Sequence, residues 1–476
     1  MRTTPAAAPM EAPQQFAALY RTLWRWHFYA GLFCLPFVVI LSVTGAVYLF
    51  KPQIDAFFDR PYDHLTLSGP AQSLDAQVEA AQRAHPEARL KGVELRQDAS
   101  DATRVRLMDA SGSETRVLVR PDTLEIMNSE TQKSRLTQIM HDLHGELLIG
   151  DPGAIVLEAA GAWAIVMALT GLYLWWPHGQ GLAGVLYPRL NGGGKRLLRD
   201  LHAVTGFWLS LFALFFLISA LPWTKVWGSA FRELRSIGAQ QAAKQDWTTG
   251  PASAKAQRIA EYKEAPPSTG EAADEHAEHR AHLRADKSDA ATGFDKIAAI
   301  VRPLRLADPV LLLPPAPDKP LWQARSDSQN RTLRVTLSYD AASLALVKRE
   351  DFGGRALIDR IVGIGVAAHE GQLFGWFNQL LGLLTAVGYL VLVVTSALMW
   401  WRRRPSGSLG APPALAQPPR FAPVLIGTIV ALGALLPTLG ASLILTVVAE
   451  AAIRRVSPSL SRWLGLVPVA RAAPGL

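Results

Sequence analysis

Long apolar segments alternate with long polar ones along this chain. Crossing a hydrocarbon layer of about 30 Å takes about 20 helical residues, and four apolar stretches reach that length. They are Phe28–Phe50, Ala154–Trp176, Val204–Trp223 and Phe377–Trp401. A fifth stretch, Phe421–Ala449, contains Pro437, so the pattern predicts either a fifth span or a bent, re-entrant element.

Composition agrees with a protein that is only partly in a membrane. The 476 residues are 49% hydrophobic and 18% charged, which is too apolar for a soluble enzyme and too polar for a chain made of spans alone. The long polar segments Lys51–Pro152 and Lys225–Gly375 are therefore expected to fold outside the bilayer. The single cysteine, Cys34, excludes a disulfide framework or a thiolate-bound cluster built by one chain.

Lysine and arginine residues predict which face of the membrane each loop occupies. They precede the first span, separate the second from the third and follow the fourth, at Arg21, Arg25, Arg189, Lys195, Arg196, Arg199, Arg402, Arg403 and Arg404. The positive-inside rule makes these loops cytoplasmic and the two long polar segments periplasmic. The net charge of +8 thus reflects membrane topology, and no nucleic-acid partner is indicated. A fifth outward span would leave Arg454, Arg455 and Arg462 outside, against this rule.

The predicted spans repeat in pairs. His27 and His202 open the first and third spans, and each has a glycine four residues later, at Gly31 and Gly206. His144 and His369 lie just before the second and fourth spans, which end in the similar segments TGLYLWW and TSALMWW. A parallel duplication of a two-span unit predicts a pseudo-two-fold axis along the membrane normal. This axis would pair His27 with His202 on the cytoplasmic side and His144 with His369 on the outer side.

Histidines at membrane edges are costly unless they have a partner, and a metal ion is one such partner. We expect each pair to ligate one haem iron, with Gly31, Gly206 and Gly45 leaving room for the macrocycle. His141 is an alternative outer ligand or a neighbour of one. The run His276–His282 is compatible with a weak metal site, although a solvated helix or mobile insertion also explains it. Tryptophans at the span ends are expected to form an interfacial belt: Trp175, Trp176, Trp223, Trp400 and Trp401.

Several segments resemble one known family. These are WHFYAGLFCLPFVVILSVTGAVYLF, LHGELLIGDPG, LHAVTGFWLSLFALFF and HEGQLFGWFNQLL, and they are similar to the PepSY-associated transmembrane family, which includes inner-membrane ferric-siderophore reductases. The resemblance extends over roughly residues 17–405 and includes strand–turn–strand segments at residues 116–126 and 334–344. Leu124 and Leu344 stand where the turn of this family often has glycine. The resemblance implies two b-type haems with bis-histidine ligation at His27, His202, His144 and His369.

The expected fold is a membrane α-helical bundle, a duplicated two-span unit with a fifth span, carrying two periplasmic α+β PepSY-like domains. Its predicted parts are a cytoplasmic segment (1–26), span 1 (27–50), the first PepSY-like domain (51–143), span 2 (144–176), a cytoplasmic loop (177–200), span 3 (201–223), the second PepSY-like domain with a polar insertion (224–368), span 4 (369–401), a cytoplasmic linker (402–420), span 5 (421–449) and a tail (450–476).

The expected function is electron transfer across a bacterial inner membrane, with a ferric siderophore or other ferric chelate as the acceptor that the resemblance implies. The chain has no nicotinamide-binding fingerprint, phosphate-binding loop or hydrolase motif, so the electrons are expected from another cytoplasmic protein or from a quinol. Two alternatives remain. The chain is either a haem subunit that supplies a separate periplasmic oxidoreductase, or a haem-free scaffold whose PepSY-like domains bind a periplasmic partner.

Overall fold

The computed structural model describes residues 12–176, 182–191, 193–237, 250–264, 293–316, 319–415 and 423–467. The chain folds into two units. The helical unit comprises Met1–Val43, Asp151–Ala243 and Leu384–Leu476, and the sheet unit comprises Thr44–Gly150 and Lys244–Leu383. The run His276–His282 lies outside the described residues.

The helices and strands have the following bounds. The helices are α1 (Ala12–Leu49), α2 (Lys51–Asp59), α3 (Leu74–Ala84), α4 (Leu136–Glu146), α5 (Asp151–Trp175), α6 (Gly193–Ala220), α7 (Val226–Ile237), α8 (Gly250–Glu264), α9 (Phe294–Val301), α10 (Leu357–His369), α11 (Trp376–Arg403), α12 (Pro423–Leu435), α13 (Pro437–Val456) and α14 (Pro458–Trp463). The strands are β1 (Arg89–Leu95), β2 (Thr103–Met108), β3 (Glu114–Val119), β4 (Ile126–Thr131), β5 (Val310–Leu313), β6 (Leu321–Ser326), β7 (Val335–Asp340) and β8 (Leu346–Asp351).

Four helices match the four predicted spans. The segments long and apolar enough to cross a membrane are Gln15–Leu49, Asp151–Trp175, Gly193–Trp223 and Trp376–Arg403. Each is at least 25 residues long, so at 1.5 Å per residue each exceeds a hydrocarbon layer of about 30 Å. The chain is a helical membrane protein with a separate β-sheet, as the hydrophobic pattern predicts.

The fifth apolar segment is bent. Helices α12 and α13 meet at Leu436, just before Pro437, and their axes differ by 119°. Leu409, which precedes this pair, donates its backbone N–H to the carbonyl of Trp463, which follows it, at 2.8 Å. The two ends of the segment therefore lie together. This is the geometry of the re-entrant alternative, and it differs from the straight fifth span expected for residues 421–449.

Side chains of α1 hold both ends of this bent segment. The Arg25 guanidinium donates to the carbonyls of Pro412 and Gly465, and the Tyr29 hydroxyl donates to that of Leu464 at 2.5 Å. Arginines at the end of α13 consequently return to the end of the helical unit that carries Arg25. A segment that returns in this way would not conflict with the positive-inside rule, as a fifth crossing would.

The eight strands form one antiparallel sheet rather than the sheets of two separate domains. Their order is β4-β3-β2-β1-β5-β6-β7-β8, so each polar segment supplies one four-stranded half. The halves join where Val93 and Leu95 in β1 pair with Leu312 and Val310 in β5. A Cβ on Gly92 would lie 2.5 Å from the Leu312 carbonyl oxygen, so glycine permits this close approach.

The two halves of the sheet have matching local features. Both outer hairpins contain an irregularity, at Leu118/Val119 and at Ser338/Tyr339. The turns that follow place Leu124 at φ 62° and Leu344 at φ 54°. These are left-handed conformations that favour glycine, so the positions flagged by the family resemblance do carry a glycine-type backbone.

Helices α3 and α9 cover one face of the sheet and cap each other. The Asp75 carboxylate accepts from the backbone N–H groups of Phe294 and Asp295, and the Asp295 carboxylate accepts from those of Leu74 and Asp75. Burial, together with the adjacent Asp295 carboxylate, raises the pKa of Asp75 to about 6. Below the helices lies an apolar core that includes Val93, Val105, Ile297 and Trp322.

The opposite face of the sheet carries buried ion pairs. Arg104 in β2, whose side chain is 1% exposed, donates to Asp63 at 2.7 Å. Arg116 in β3 donates to both Asp59 carboxylate oxygens, at 2.9 and 2.5 Å. Burial alone would raise the pKa of Asp59, but Arg116 and Arg135 outweigh it and hold that pKa below its ordinary value. These pairs fasten α2 to the sheet.

Candidate cofactor-binding histidines

The helical unit brings His27 and His202 together. His27 lies in α1 and His202 in α6, and their imidazole ring centres are 6.5 Å apart with the ring planes at 83°. Both side chains are partly buried among the spans. The pairing that the sequence repeat predicts is therefore present, although the two histidines lie far apart in the sequence.

The sheet unit brings His144 and His369 together. His144 lies in the last turn of α4 and His369 is the last residue of α10. Their ring centres are also 6.5 Å apart, with the ring planes at 88°. Two pairs drawn from different parts of the chain thus have nearly the same geometry.

This separation suits two imidazoles on one metal ion. A metal–imidazole nitrogen bond is about 2.0 Å, and the ring centre lies about 1.1 Å behind the nitrogen, so two ligands on opposite sides of a metal have centres about 6.2 Å apart. The measured 6.5 Å agrees with this value. The four histidines fit bis-histidine ligation of two metal centres.

Threonine hydroxyls contact three of these rings at Nδ1. The distances are 3.0 Å from His27 Nδ1 to Thr170 Oγ1, 3.3 Å from His202 Nδ1 to Thr395 Oγ1 and 2.9 Å from His144 Nδ1 to Thr44 Oγ1. In each case the threonine lies on a different helix from its histidine. Metal-binding histidines usually donate their second ring N–H to an acceptor such as a carboxylate, a backbone carbonyl or water. A threonine oxygen that accepts from Nδ1–H would likewise leave Nε2 for the metal.

Two glycines lie against the same rings. A Cβ on Gly171 would lie 3.2 Å from His27 Cε1, and a Cβ on Gly45 would lie 3.3 Å from His144 Cε1. Gly45 is thus a ring neighbour, as the sequence suggested for the outer pair. A Cβ on Gly31 or Gly206 would instead make ordinary contacts, at 3.6 Å to Met167 Sδ and 3.7 Å to Leu392 Cδ2.

Gly171 was missed from the sequence, together with the role of the threonines. Threonines near span ends commonly bond to their own helix backbone, and nothing local marks Thr44, Thr170 or Thr395 as partners of a histidine. The available signal was the dipeptide Thr-Gly, which occurs in the first three spans as Thr44-Gly45, Thr170-Gly171 and Thr205-Gly206. The helix packing places the first two beside a histidine from another helix, whereas a Cβ on Gly206 would meet Leu392.

His141, the rival outer ligand, lies elsewhere. Its ring is 5.6 Å from that of Tyr48, and its Nδ1 is 3.1 Å from an Asp142 carboxylate oxygen. The side chain is 54% exposed. Of the two histidines on α4, it is His144 that pairs with His369.

A buried carboxylate follows the second pair. Glu370 lies next to His369 in the loop before α11, and burial raises its pKa above the ordinary value. The positive charges of Arg331, Arg334 and Lys51 oppose that increase. Three basic side chains thus act on the carboxylate that follows His369.

Two tryptophans of the expected interfacial belt instead hold loops. The Trp175 indole N–H donates to the Val185 carbonyl at 2.9 Å, and the Trp400 indole N–H donates to the Leu409 carbonyl at 2.8 Å. Their neighbours Trp176 and Trp401 are 62% and 67% exposed, as residues of such a belt would be. The repeated Trp-Trp ends thus have two different roles.

A second group of polar side chains lies on the sheet unit. His64, Asp98 and Asp101 bring one ligand-type atom each within 4.8 Å of one another. His64 Nδ1 is 3.0 Å from Asp98, and its side chain is 78% exposed. The sequence showed no partner pattern for His64. Hydrogen bonds of His64 with Asp98 and Asp101 are enough to explain why these three side chains lie together.

Comparison with known proteins places the chain in a family. None of the curated proteins with which it was compared matches it. The family model for the PepSY-associated TM region matches residues 24–403, a segment that contains all four paired histidines and both halves of the sheet. The chain belongs to this family of membrane proteins with a PepSY-associated transmembrane region.

Proposed function

We propose that the chain is a dihaem b-type electron-transfer protein of the bacterial inner membrane, which reduces a ferric chelate such as a ferric siderophore on the periplasmic side. The observation that carries the proposal is the presence of two histidine pairs with ring centres 6.5 Å apart, each suited to one metal. His27 and His202 would hold one haem, and His144 and His369 the other. A bis-histidine haem supplies one-electron transfer and leaves no open position on iron.

Neutral histidines suit this task in an apolar environment. An imidazole whose Nδ1–H is held by a threonine keeps its Nε2 lone pair available without introducing a net charge into the spans. A charged ligand at the same depth would cost about 2.5–3.5 kcal/mol on insertion scales. The contacts of His27, His202 and His144 with threonine therefore support cofactor binding over simple helix packing.

Outward electron transfer also agrees with the proposed orientation. The membrane potential favours movement of an electron out of a negative interior by about 2.3 kcal/mol per 100 mV. Reduction of ferric iron in an oxygen-rich chelate weakens the complex, because the less highly charged ion suits hard oxygen ligands less well. Arg331 and Arg334 act on Glu370, the residue after His369, and their positive charges are compatible with an anionic chelate.

The first test is to count haem in the purified full-length protein made with ample haem supply. A pyridine haemochrome assay should give about two haems per chain, and a reduced-minus-oxidised spectrum should show low-spin b-type bands. His27→Ala and His144→Ala should each remove one haem. His141→Ala is the matched control, since its imidazole lies on the same helix as His144 but outside the pair, and it should retain both.

The second test separates the proposed reductase from its alternatives. The reduced protein is mixed with ferric citrate or a ferric hydroxamate, and haem reoxidation is followed together with ferrous iron captured by a chromogenic chelator. Ferrous iron formed in step with haem oxidation supports the proposal. A haem protein that leaves these chelates oxidised would instead be the subunit of a separate oxidoreductase, and a chain without haem would be a scaffold.

A further inference from the structure

We infer that Thr170 and Thr395 are positioning residues that set the tautomer and the ring plane of the histidines they contact, and that Thr44, 2.9 Å from His144 Nδ1, helps to fix the plane of that ring. The inference rests on the proposed dihaem function, because it concerns how these imidazoles would be presented to iron. It adds residues on the helices opposite the histidines to the four ligands themselves.

The tautomer of His27 and His202 follows from where each threonine hydroxyl directs its single hydrogen. A threonine hydroxyl has one hydrogen to donate. Thr170 Oγ1 lies 2.8 Å from the Val166 carbonyl oxygen and Thr395 Oγ1 lies 2.7 Å from that of Val391, so each hydroxyl hydrogen is directed to its own helix. The contacts of these hydroxyls with His27 and His202 then use a hydrogen on Nδ1. A backbone carbonyl also accepts from each ring, that of Met167 from His27 and that of Leu392 from His202, so threonine and carbonyl together favour this tautomer. The Nε2 atoms carry the lone pairs that a metal requires.

The ring planes follow from the same contacts. An imidazole bound to a metal through Nε2 alone can rotate about that bond, whereas a hydrogen bond at Nδ1 restricts the rotation. The backbone at Gly171 lies close beside His27 Cε1, and the backbone at Gly45 lies close beside His144 Cε1. Thr170 lies on α5 and Thr395 on α11, so the rings of His27 and His202 are held from different helices and need not be parallel. The observed angles are 83° and 88°.

Nearly perpendicular ligand planes have a spectroscopic consequence. In low-spin ferric haem, two perpendicular imidazoles leave the two highest occupied iron orbitals almost equal in energy, and this produces a strongly anisotropic EPR signal with one dominant large g value. Parallel planes give a rhombic signal with three resolved g values. The EPR spectrum therefore reports the ring planes independently of any electron-transfer activity.

The test uses Thr170→Val in full-length, detergent-purified protein loaded with haem. Valine keeps the shape of threonine and removes the hydroxyl. We expect about half of the anisotropic EPR signal, the share of the His27–His202 haem, to become rhombic, and the affinity for that haem to fall about 10–100-fold. Thr170→Ser, which restores a hydroxyl, should recover both properties.

Thr428→Val is the matched control. Thr428 on α12 also bonds to the carbonyl four residues earlier, at 2.8 Å to Val424, and its side chain is exposed. It should leave the EPR signal and the haem affinity unchanged. If Thr170→Val does not accumulate, Thr395→Val tests the same pair through His202.

The outcomes separate this inference from the function on which it rests. A wild-type protein with two haems whose Thr170→Val form has the EPR signal and haem affinity of the control overturns the positioning role and leaves the dihaem function intact. A wild-type protein that takes up no haem overturns the function itself. A rhombic wild-type signal would contradict the perpendicular planes directly.

Discussion

Replacing Gly171 with alanine tests whether His27 is held in a defined place. The new Cβ would lie 3.2 Å from His27 Cε1. Favourable carbon–carbon contacts lie at about 3.5–4.0 Å, so the imidazole or its helix must move by about 0.3–0.8 Å. Metal–ligand distances tolerate only about 0.2 Å, so the movement is large enough to disturb ligation. We expect Gly171→Ala to lower the haem content from about two per chain towards one.

The matched control is Gly31→Ala, in the same helix as His27. Its Cβ would lie 3.6 Å from Met167 Sδ, an ordinary contact with a flexible side chain. Alanine favours a helix over glycine by about 1 kcal/mol, so this variant should keep both haems and unfold at a slightly higher temperature. At Gly171 the same gain competes with an overpacking cost of about 1–3 kcal/mol.

The assay is pyridine haemochrome on purified variants, with thermal unfolding followed by circular dichroism. The His144–His369 pair belongs to the other unit, so its haem should remain and provide an internal reference. Gly171→Ala protein with two haems and an unchanged spectrum would refute the reasoning. Haem loss in Gly31→Ala as well would point to helix packing in general and not to the contact with His27.

Three further predictions concern the rest of the fold. Arg104→Met should lower the free energy of unfolding of the sheet unit by about 3–5 kcal/mol, because it removes a buried cation from the carboxylates that it neutralises. Arg349→Met, at an exposed ion pair, should change that free energy by no more than about 0.5 kcal/mol. Denaturant unfolding measures both. The pKa of Asp75 is about 6 in the folded protein and about 4 in an unfolded chain, so thermal stability should fall as pH rises from about 4 to about 6. The slope should be modest because the carboxylate is half exposed, and Asp75→Asn should flatten this pH dependence. If the bent segment returns to its starting side, Ser459→Cys and Ser406→Cys should react with a membrane-impermeant maleimide from the same side, and labelling from opposite sides would contradict it.

Local patterns predicted much of the fold. Apolar length alone located α1, α5, α6 and α11, because a span must satisfy all its backbone groups internally and so forms one continuous helix. The family resemblance located the strand–turn segments at 116–126 and 334–344, which contain most of β3 and all of β7 with the turns that lead to β4 and β8. The joining of the two halves through β1 and β5 was not predicted. It depends on pairing between strands that are distant in the sequence and on the absence of a side chain at Gly92.

The course of the bent segment was likewise only partly predictable from the sequence. Composition identified Phe421–Ala449 as apolar, and Pro437 indicated a possible break, but neither could choose between a crossing and a return. The choice depends on hydrogen bonds from Arg25 and Tyr29 to partners 440 and 435 residues later in the chain. Such contacts have no periodic signature in a single sequence.

The candidate site was also predicted only in part from the sequence. Repetition along the chain predicted which histidines would pair, because equivalent residues in repeated units occupy equivalent places. It did not predict the threonines, since a residue that contacts a histidine on another helix has no fixed spacing from it. Thr170 follows His27 by 143 residues, while Thr44 precedes His144 by 100.

The use of threonine rather than a carboxylate as the partner of Nδ1 follows from the surroundings. Outside membranes, metal-bound histidines often donate to a carboxylate, which makes the imidazole a more basic ligand. Within a span a carboxylate would cost about 2.5–3.5 kcal/mol on insertion scales, and it would have to be offset by other charges. A threonine hydroxyl is neutral, and its own hydrogen is satisfied by a carbonyl one turn earlier, as at Val166 and Val391. It can therefore accept from histidine without leaving any buried polar group unpaired. The expected result is a less electron-rich ligand set, and hence a higher haem reduction potential than a carboxylate partner would produce.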